Sequence, residues 1–229
     1  MIEHIPEKVK KAFFYFHSAG TNSNELESYL HYFIEKLPHT YIWIGDGVIS
    51  DSPLMGSELN YNSNSEKRYW FTFPMDDASS RESFMAHSQA MGASLCSSGA
   101  FVNHMVDQVK FRFSLSIDKI VLCGFQHGSS LALSSAMMRL KDPYSHTILL
   151  EPYLLEAFYL RDEELLPSTT VHCIDNKHIR SRTEQWLKID TDKELAGFGI
   201  NTVRITVKNG GDDLNLSMII EVINIIKNI

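Results

Sequence analysis

The segment CGFQHGSSLAL, Cys123 to Leu133, sets an apolar strand-like run, a glycine, three residues, a second glycine and a helix-like run in succession. A turn of that kind lifts its middle side chain clear of the backbone, where a nucleophile can be presented to a substrate. The middle residue is Gln126. Its amide lone pair is delocalised into the carbonyl, so it does not attack an ester at a useful rate. Other chemistry-bearing groups fall just past apolar runs: His17-Ser18-Ala19-Gly20, Gly45-Asp46, His127, Glu151, Asp175 and Asp212-Asp213. Imidazoles and carboxylates in such places can move protons, orient a nucleophile or stabilise charge. His127 directly follows the turn, where its backbone N–H can serve as an oxyanion donor and its ring can reach the expected pocket, although a lone histidine at a helix start is more often a structural hydrogen-bonding residue.

The elements that position these groups are legible as alternating apolar runs. Strands are expected at Lys11 to His17, Thr40 to Gly45, Ile117 to Phe125, His146 to Leu150, Thr169 to Ile174 and Thr202 to Val207. Helical spacing marks Asn24 to Leu37, capped by Asn22 or Ser23, and Ser129 to Leu140 and Leu214 to Ile226. Ser79 to Phe113 is mostly helical, with an interruption expected near Ser97-Ser98-Gly99. Arg68 to Phe73 is apolar and aromatic and stops at Pro74, and the Ser- and Asn-rich stretch around 47–67 reads as a polar flap or insertion. Continuous apolar strands alternating with helices predict an α/β fold, a mostly parallel sheet of about seven strands covered on both faces. In such sheets sites form at the carboxyl ends of strands, where the groups above are found.

No linker divides the 229 residues, so a single domain over 1–229 is expected. With 44% hydrophobic and 21% charged residues the chain can bury a full core. A net charge of -7 and no basic stripe argue against nucleic acid as a partner. The three cysteines, Cys96, Cys123 and Cys173, are too few and too scattered for a disulfide framework, which favours a reducing compartment. The polar N-terminal segment MIEHIPEKVKK and the lack of a ~20-residue apolar run predict neither signal peptide nor transmembrane helix, so the cytoplasm is the expected location.

These motifs, taken in order, resemble the phospholipase/carboxylesterase branch of the α/β-hydrolases, the group of the acyl-protein thioesterases. FFYFHSAGTNSNEL resembles its strand and HGxG loop, RYWFTF its WF(D) stretch, and SIDKIVLCGFQHGSSLAL its GFSQGG elbow. VHCIDNKHI resembles its HGxxDxxV segment and VKNGGDDL its final histidine segment. The resemblance implies an α/β-hydrolase fold with triad positions at Gln126, Asp175 and Asp212, where the family has serine, acid and histidine. It keeps the elbow glycines Gly124 and Gly128, and His17 and Gly20 of the oxyanion loop, but has Ser18 for a glycine. Adjacent carboxylates at Asp175 and Asp212 would share a proton, bind a cation or be held apart by the loop.

A hydroxyl activated by an oriented imidazole is the heart of acyl transfer in this fold, and two of its three parts are replaced. The leading expectation is therefore a non-catalytic protein that binds a small acyl-like or apolar ligand or a protein partner, with no cofactor and no metal. Gln126 would then hydrogen-bond with Asp212 or His127 and plug the site, with His17, Ser18, Gly20, His127 and Glu151 around it. Two other readings remain: an ester or thioester hydrolase with atypical groups, in which Gln126 orients water and Asp212 or His127 acts as base, and an interaction module or homodimer whose old pocket is filled.

Overall fold

The computed structural model describes residues 1–47, 68–71, 88–152, 168–176, 191–207 and 213–229. Within them, seven strands form one sheet: β1 (Ile2–His4), β2 (Lys11–Phe16), β3 (Thr40–Ile44), β4 (Ile120–Phe125), β5 (His146–Leu150), β6 (Thr170–Asn176) and β7 (Asn201–Val207). Their spatial order is β1-β3-β2-β4-β5-β6-β7. Only β1 runs antiparallel, beside β3; every other pairing is parallel.

Alternate residues of the parallel strands enter two different cores. Phe14, Phe16, Leu122 and Leu149 face one side, and Phe13, Tyr15, Val121 and Ile148 face the other. This is the period-two geometry of a strand buried on both faces, and it explains why the strands read as unbroken apolar runs. The first core is closed by α3 (Ser88–Phe113), α4 (His127–Met137) and α5 (Thr191–Gly197) through Val102, Leu131 and Leu195. The second is closed by α1 (Asn24–Glu27), α2 (Leu30–Lys36) and α6 (Leu216–Asn228) through Leu26, Phe33 and Val222. In α6 the buried residues Met218, Ile219, Val222, Ile223 and Ile226 make one stripe, and Asn215 caps the helix by accepting the Met218 N–H at 3.2 Å.

Three local expectations are corrected. Ser97-Ser98-Gly99 does not interrupt α3. Two of the three sit where α3 meets its neighbours: a Cβ on Gly99 would stand 3.0 Å from Met138 Sδ, and Ser98 donates to the Trp70 carbonyl, while Ser97 is exposed and donates to Ala93 O in its own helix at 3.0 Å. The helix expected over Asn24 to Leu37 is two short ones, because the chain tightens at Tyr29, whose N–H donates to Leu26 O three residues back. Its first cap, Ser23, makes no side-chain cap bond, and its N–H is taken by Asp46 at 2.6 Å. The β4 run starts with a 3₁₀ turn at Ile117–Lys119, and α4 starts at His127, two residues before the expected Ser129.

The chain leaves β2 for β3 on one side of it and returns to β4 on the other, so β2 and β4 flank the point where strand order reverses. Their carboxyl ends open a crevice there. The segment Arg68 to Phe71, buried at Tyr69, Trp70 and Phe71, packs against the loop after β2 and is joined to it by a bridge, Thr21 to Arg68. The polar stretch past Gly47, through residue 67, lies outside the described residues.

Candidate functional site

β4 is followed by Gln126 with φ 49° and ψ -108°, a backbone conformation that L side chains adopt at a cost of about 1–3 kcal/mol. Two bonds fix it. The Gln126 N–H extends the β4–β5 ladder to Leu150 O at 2.8 Å, and Ser129 N–H closes the first turn of α4 onto Gln126 O at 2.9 Å. Both elbow glycines are demanded by contact. A Cβ on Gly124 would lie 2.0 Å from Gly128 O, and one on Gly128 would lie 2.1 Å from Phe16 O. The absence of side chains at these two positions lets α4 rest directly on the backbone of β2 and β4. Ser129 and Ser130 are buried in the first turn of that helix.

Past β2, the HSAGT loop is shaped by His17. Its Nε2 accepts the Gly47 N–H at 2.9 Å, so the ring proton sits on Nδ1, which donates to Ser18 O at 2.6 Å. Burial pushes the imidazole down to about 4, so it stays neutral around pH 7. Trp70 stacks obliquely on it at 4.9 Å between ring centres and donates its indole N–H to His17 O at 3.1 Å. Gly20, at φ 72°, turns the loop, and its N–H donates to Arg68 O at 3.0 Å.

Between this loop and the elbow lies a cavity of about 530 Å³. Gln126 lines it with Ser18, Gly20, Thr21, Glu25, Tyr29 and, across the opening, Asp213. Among the described residues, the apex residue Gln126 therefore borders open space. Glu25 is the group that sequence reasoning missed. Its Oε2 accepts the Tyr15 hydroxyl at 2.7 Å and the Ser18 N–H at 3.1 Å, while Oε1 accepts the Thr21 hydroxyl at 3.1 Å. Burial raises the carboxyl above its ordinary value, and those three donors oppose the rise. In sequence it is one acidic residue at the start of a polar helix, with nothing to mark that Tyr15, ten positions back, would meet it.

The other predicted residues take different places. His127 does not line the cavity. It is buried face-to-face on Phe71 at 3.8 Å and edge-on to Tyr69 at 6.4 Å, and desolvation pushes it down to about 3. A base that weak takes no proton at neutral pH. Glu151 is fully buried at the end of β5, with φ 48°. Its carboxylate accepts the Asn176 N–H and its own N–H donates to Ile174 O, so it ties the ends of β5 and β6 together. Asp175, near the end of β6, pairs with Arg204 Nη2 at 3.1 Å, and Arg204 Nη1 in turn reaches Asp192 at 3.2 Å. Asp212, and with it the expected pairing of two carboxylates, lies outside the described residues. Among the described residues, no three His, Cys, Asp or Glu side chains gather as a metal site, and no helix is long and apolar enough to cross a membrane.

No protein-family profile matches the chain, and no curated protein sequence matches it. Solved structures do. The esterase PE8 superposes with a TM-score of 0.72 at 13% identity, covering 100% of this chain and 97% of that one. SOBER1 of Arabidopsis thaliana gives 0.69 at 13% identity over 96% and 99% of the two chains. The carboxylesterase of Bacillus cereus gives 0.64 at 14% identity over 99% and 92%. With its seven-stranded sheet, its strained apex after β4 and these likenesses over nearly the full length, the chain has the α/β-hydrolase fold in the form carried by these esterases.

Proposed function

We propose that this chain is a non-catalytic α/β-hydrolase-fold protein that uses the former active-site crevice to bind a small molecule. The observation that supports the reading best is Gln126 itself. It occupies the strained apex, faces the cavity, and offers an amide where acyl transfer needs a hydroxyl or thiol. The two nearby imidazoles are tied into the scaffold: His17 has its proton committed to Ser18 O, and His127 is stacked under Phe71. Asp212, at the family's histidine position, would supply no imidazole.

The test is hydrolysis of short and medium p-nitrophenyl esters by the purified protein, with Gln126→Ala alongside. The expected result is a rate equal to that of the variant and of buffer. A rate well above background that Gln126→Ala abolishes overturns the proposal.

One arrangement favours a second reading, an ester or thioester hydrolase with atypical groups. The Thr21 hydroxyl and the Glu25 carboxylate, 3.1 Å apart, both line the cavity and have the chemistry of a nucleophile and its base. That reading requires turnover that survives Gln126→Ala and disappears in Thr21→Val.

A further inference from the structure

The cavity's chemistry indicates what it holds, given that the crevice is a binding site as proposed above. An acyl chain needs an apolar channel, yet among the described lining residues only Tyr29, Phe125 and Leu214 are apolar or aromatic. The rest offer hydroxyls, amides, one backbone-only glycine and two carboxylates, and none of them is a lysine, arginine or histidine. A carboxylate ligand would therefore meet Glu25 and Asp213 with no cation among those residues to receive it. An ammonium group would meet the reverse. Glu25, which lines the cavity, is held by Tyr15, Ser18 and Thr21, uncharged donors that favour its ionised form against the burial that disfavours it. Tyr29 is also fixed, its hydroxyl donating to Leu214 O at 3.1 Å, and it lines the same cavity. An aromatic face beside a carboxylate is a recognised setting for an organic cation. Gln126, Asn22 and Asn24 add amide oxygens that accept N–H bonds.

We propose that the pocket binds a small organic amine, with Glu25 as its anionic anchor, Tyr29 as its aromatic wall and Asp213 as a second, rim carboxylate. A volume of about 530 Å³ accommodates a molecule of di- or polyamine size. The pairing is electrostatic, so affinity falls as salt rises, most of all for the exposed Asp213.

Calorimetric titration of the intact protein with putrescine, spermidine and choline, against butyrate and octanoate, tests this. At least one amine is expected to bind while both carboxylates do not. Glu25→Gln should weaken the amine by about tenfold or more, and Asp213→Asn by about threefold at low salt. Asp213→Asn touches an exposed position, so it remains informative if Glu25→Gln fails to fold. Carboxylates binding as well as the amines, no binding by any of the five probes, or amine binding unmoved by both substitutions overturns the proposal. These probes contain no scissile ester. Ester turnover would therefore refute the non-catalytic reading alone, and failed amine binding would refute the ligand class alone.

Discussion

Gln126 keeps a backbone conformation for which a nucleophile is the usual justification. Its φ of 49° and ψ of -108° suit glycine far better than any side chain. Two truncations separate the side chain from the strain: Gln126→Ala and Gln126→Gly remove the same functional group, and only glycine relaxes the backbone. Gln126→Gly is expected to be the more stable of the two by about 1 kcal/mol or more, the reverse of the order at an ordinary helix or strand position. Urea unfolding of the pair checks this. Equal stability, or alanine ahead, would mean the apex is not strained in solution. At this scale the sequence is legible where one position determines the outcome. The spacing of Gly124, Gln126 and Gly128 locates the apex. It does not locate Glu25, because a carboxylate's role there depends on Tyr15 and Ser18 coming to it through the fold. Sequence position alone puts His127 near the pocket, yet its ring is claimed by Phe71, from a segment that only the tertiary structure brings across.

Strands β4 and β5 and helix α4 act as one unit at the elbow. Nothing but glycine fits where α4 crosses the sheet, so Gly124→Ala forces the helix off the backbone it rests on. A loss of about 3 kcal/mol or more is expected, from a Cβ placed 2.0 Å from a carbonyl oxygen that cannot swing away as a side chain would. Thermal unfolding measures it, and a loss under 1 kcal/mol would show that α4 is free to shift. Gly197 has no positive φ, and a Cβ there would meet nothing within 4 Å, which makes it the control for a glycine replacement that creates no clash. Element by element, the buried parallel strands are legible because burial on both faces makes them wholly apolar. β1 is not, since its three residues IEH form a half-exposed edge, and α5, TDKELAG, is too short and polar to show a stripe. The small residues in α3 read as a break because sequence alone does not distinguish a helix end from a helix crossing.

At the scale of the whole molecule, three imidazoles among the described residues are buried in neutral form. His17, His127 and His172 sit at about 4, 3 and 4, chiefly through desolvation, and His172 is also opposed by His146, 2.9 Å away from it. The unfolded chain protonates them near 6.5, so it binds more protons than the native state as pH falls below that value. Stability is therefore expected to drop from pH 6.5 toward pH 4, by up to about 3 kcal/mol for each of His17 and His127 and by less for the better-solvated His172, and to stop changing on their account below about pH 3. Glu25 acts in the opposite sense. Its raised value means the native state keeps a proton the unfolded chain has already released, so its contribution is lost as pH rises through that value. His146, Asp46, Asp118 and Asp142 are lowered as well, so more groups act with the three histidines than with Glu25, and the protein is expected to be acid-labile. Urea midpoints between pH 4.5 and 7 should show it, with His127→Phe lowering the slope by roughly one proton. A flat profile would mean these rings are hydrated.

Trp70 lends the molecule an optical handle. Its indole donates to the carbonyl of His17 and lies against that imidazole, at the root of the loop that carries Ser18, Gly20 and Thr21 into the cavity. Emission from a buried indole follows the polarity and hydrogen bonding around it, so a ligand that shifts that loop is expected to shift the protein's own fluorescence. Occupancy of the crevice can thus be followed by light, with no label attached and no reaction required.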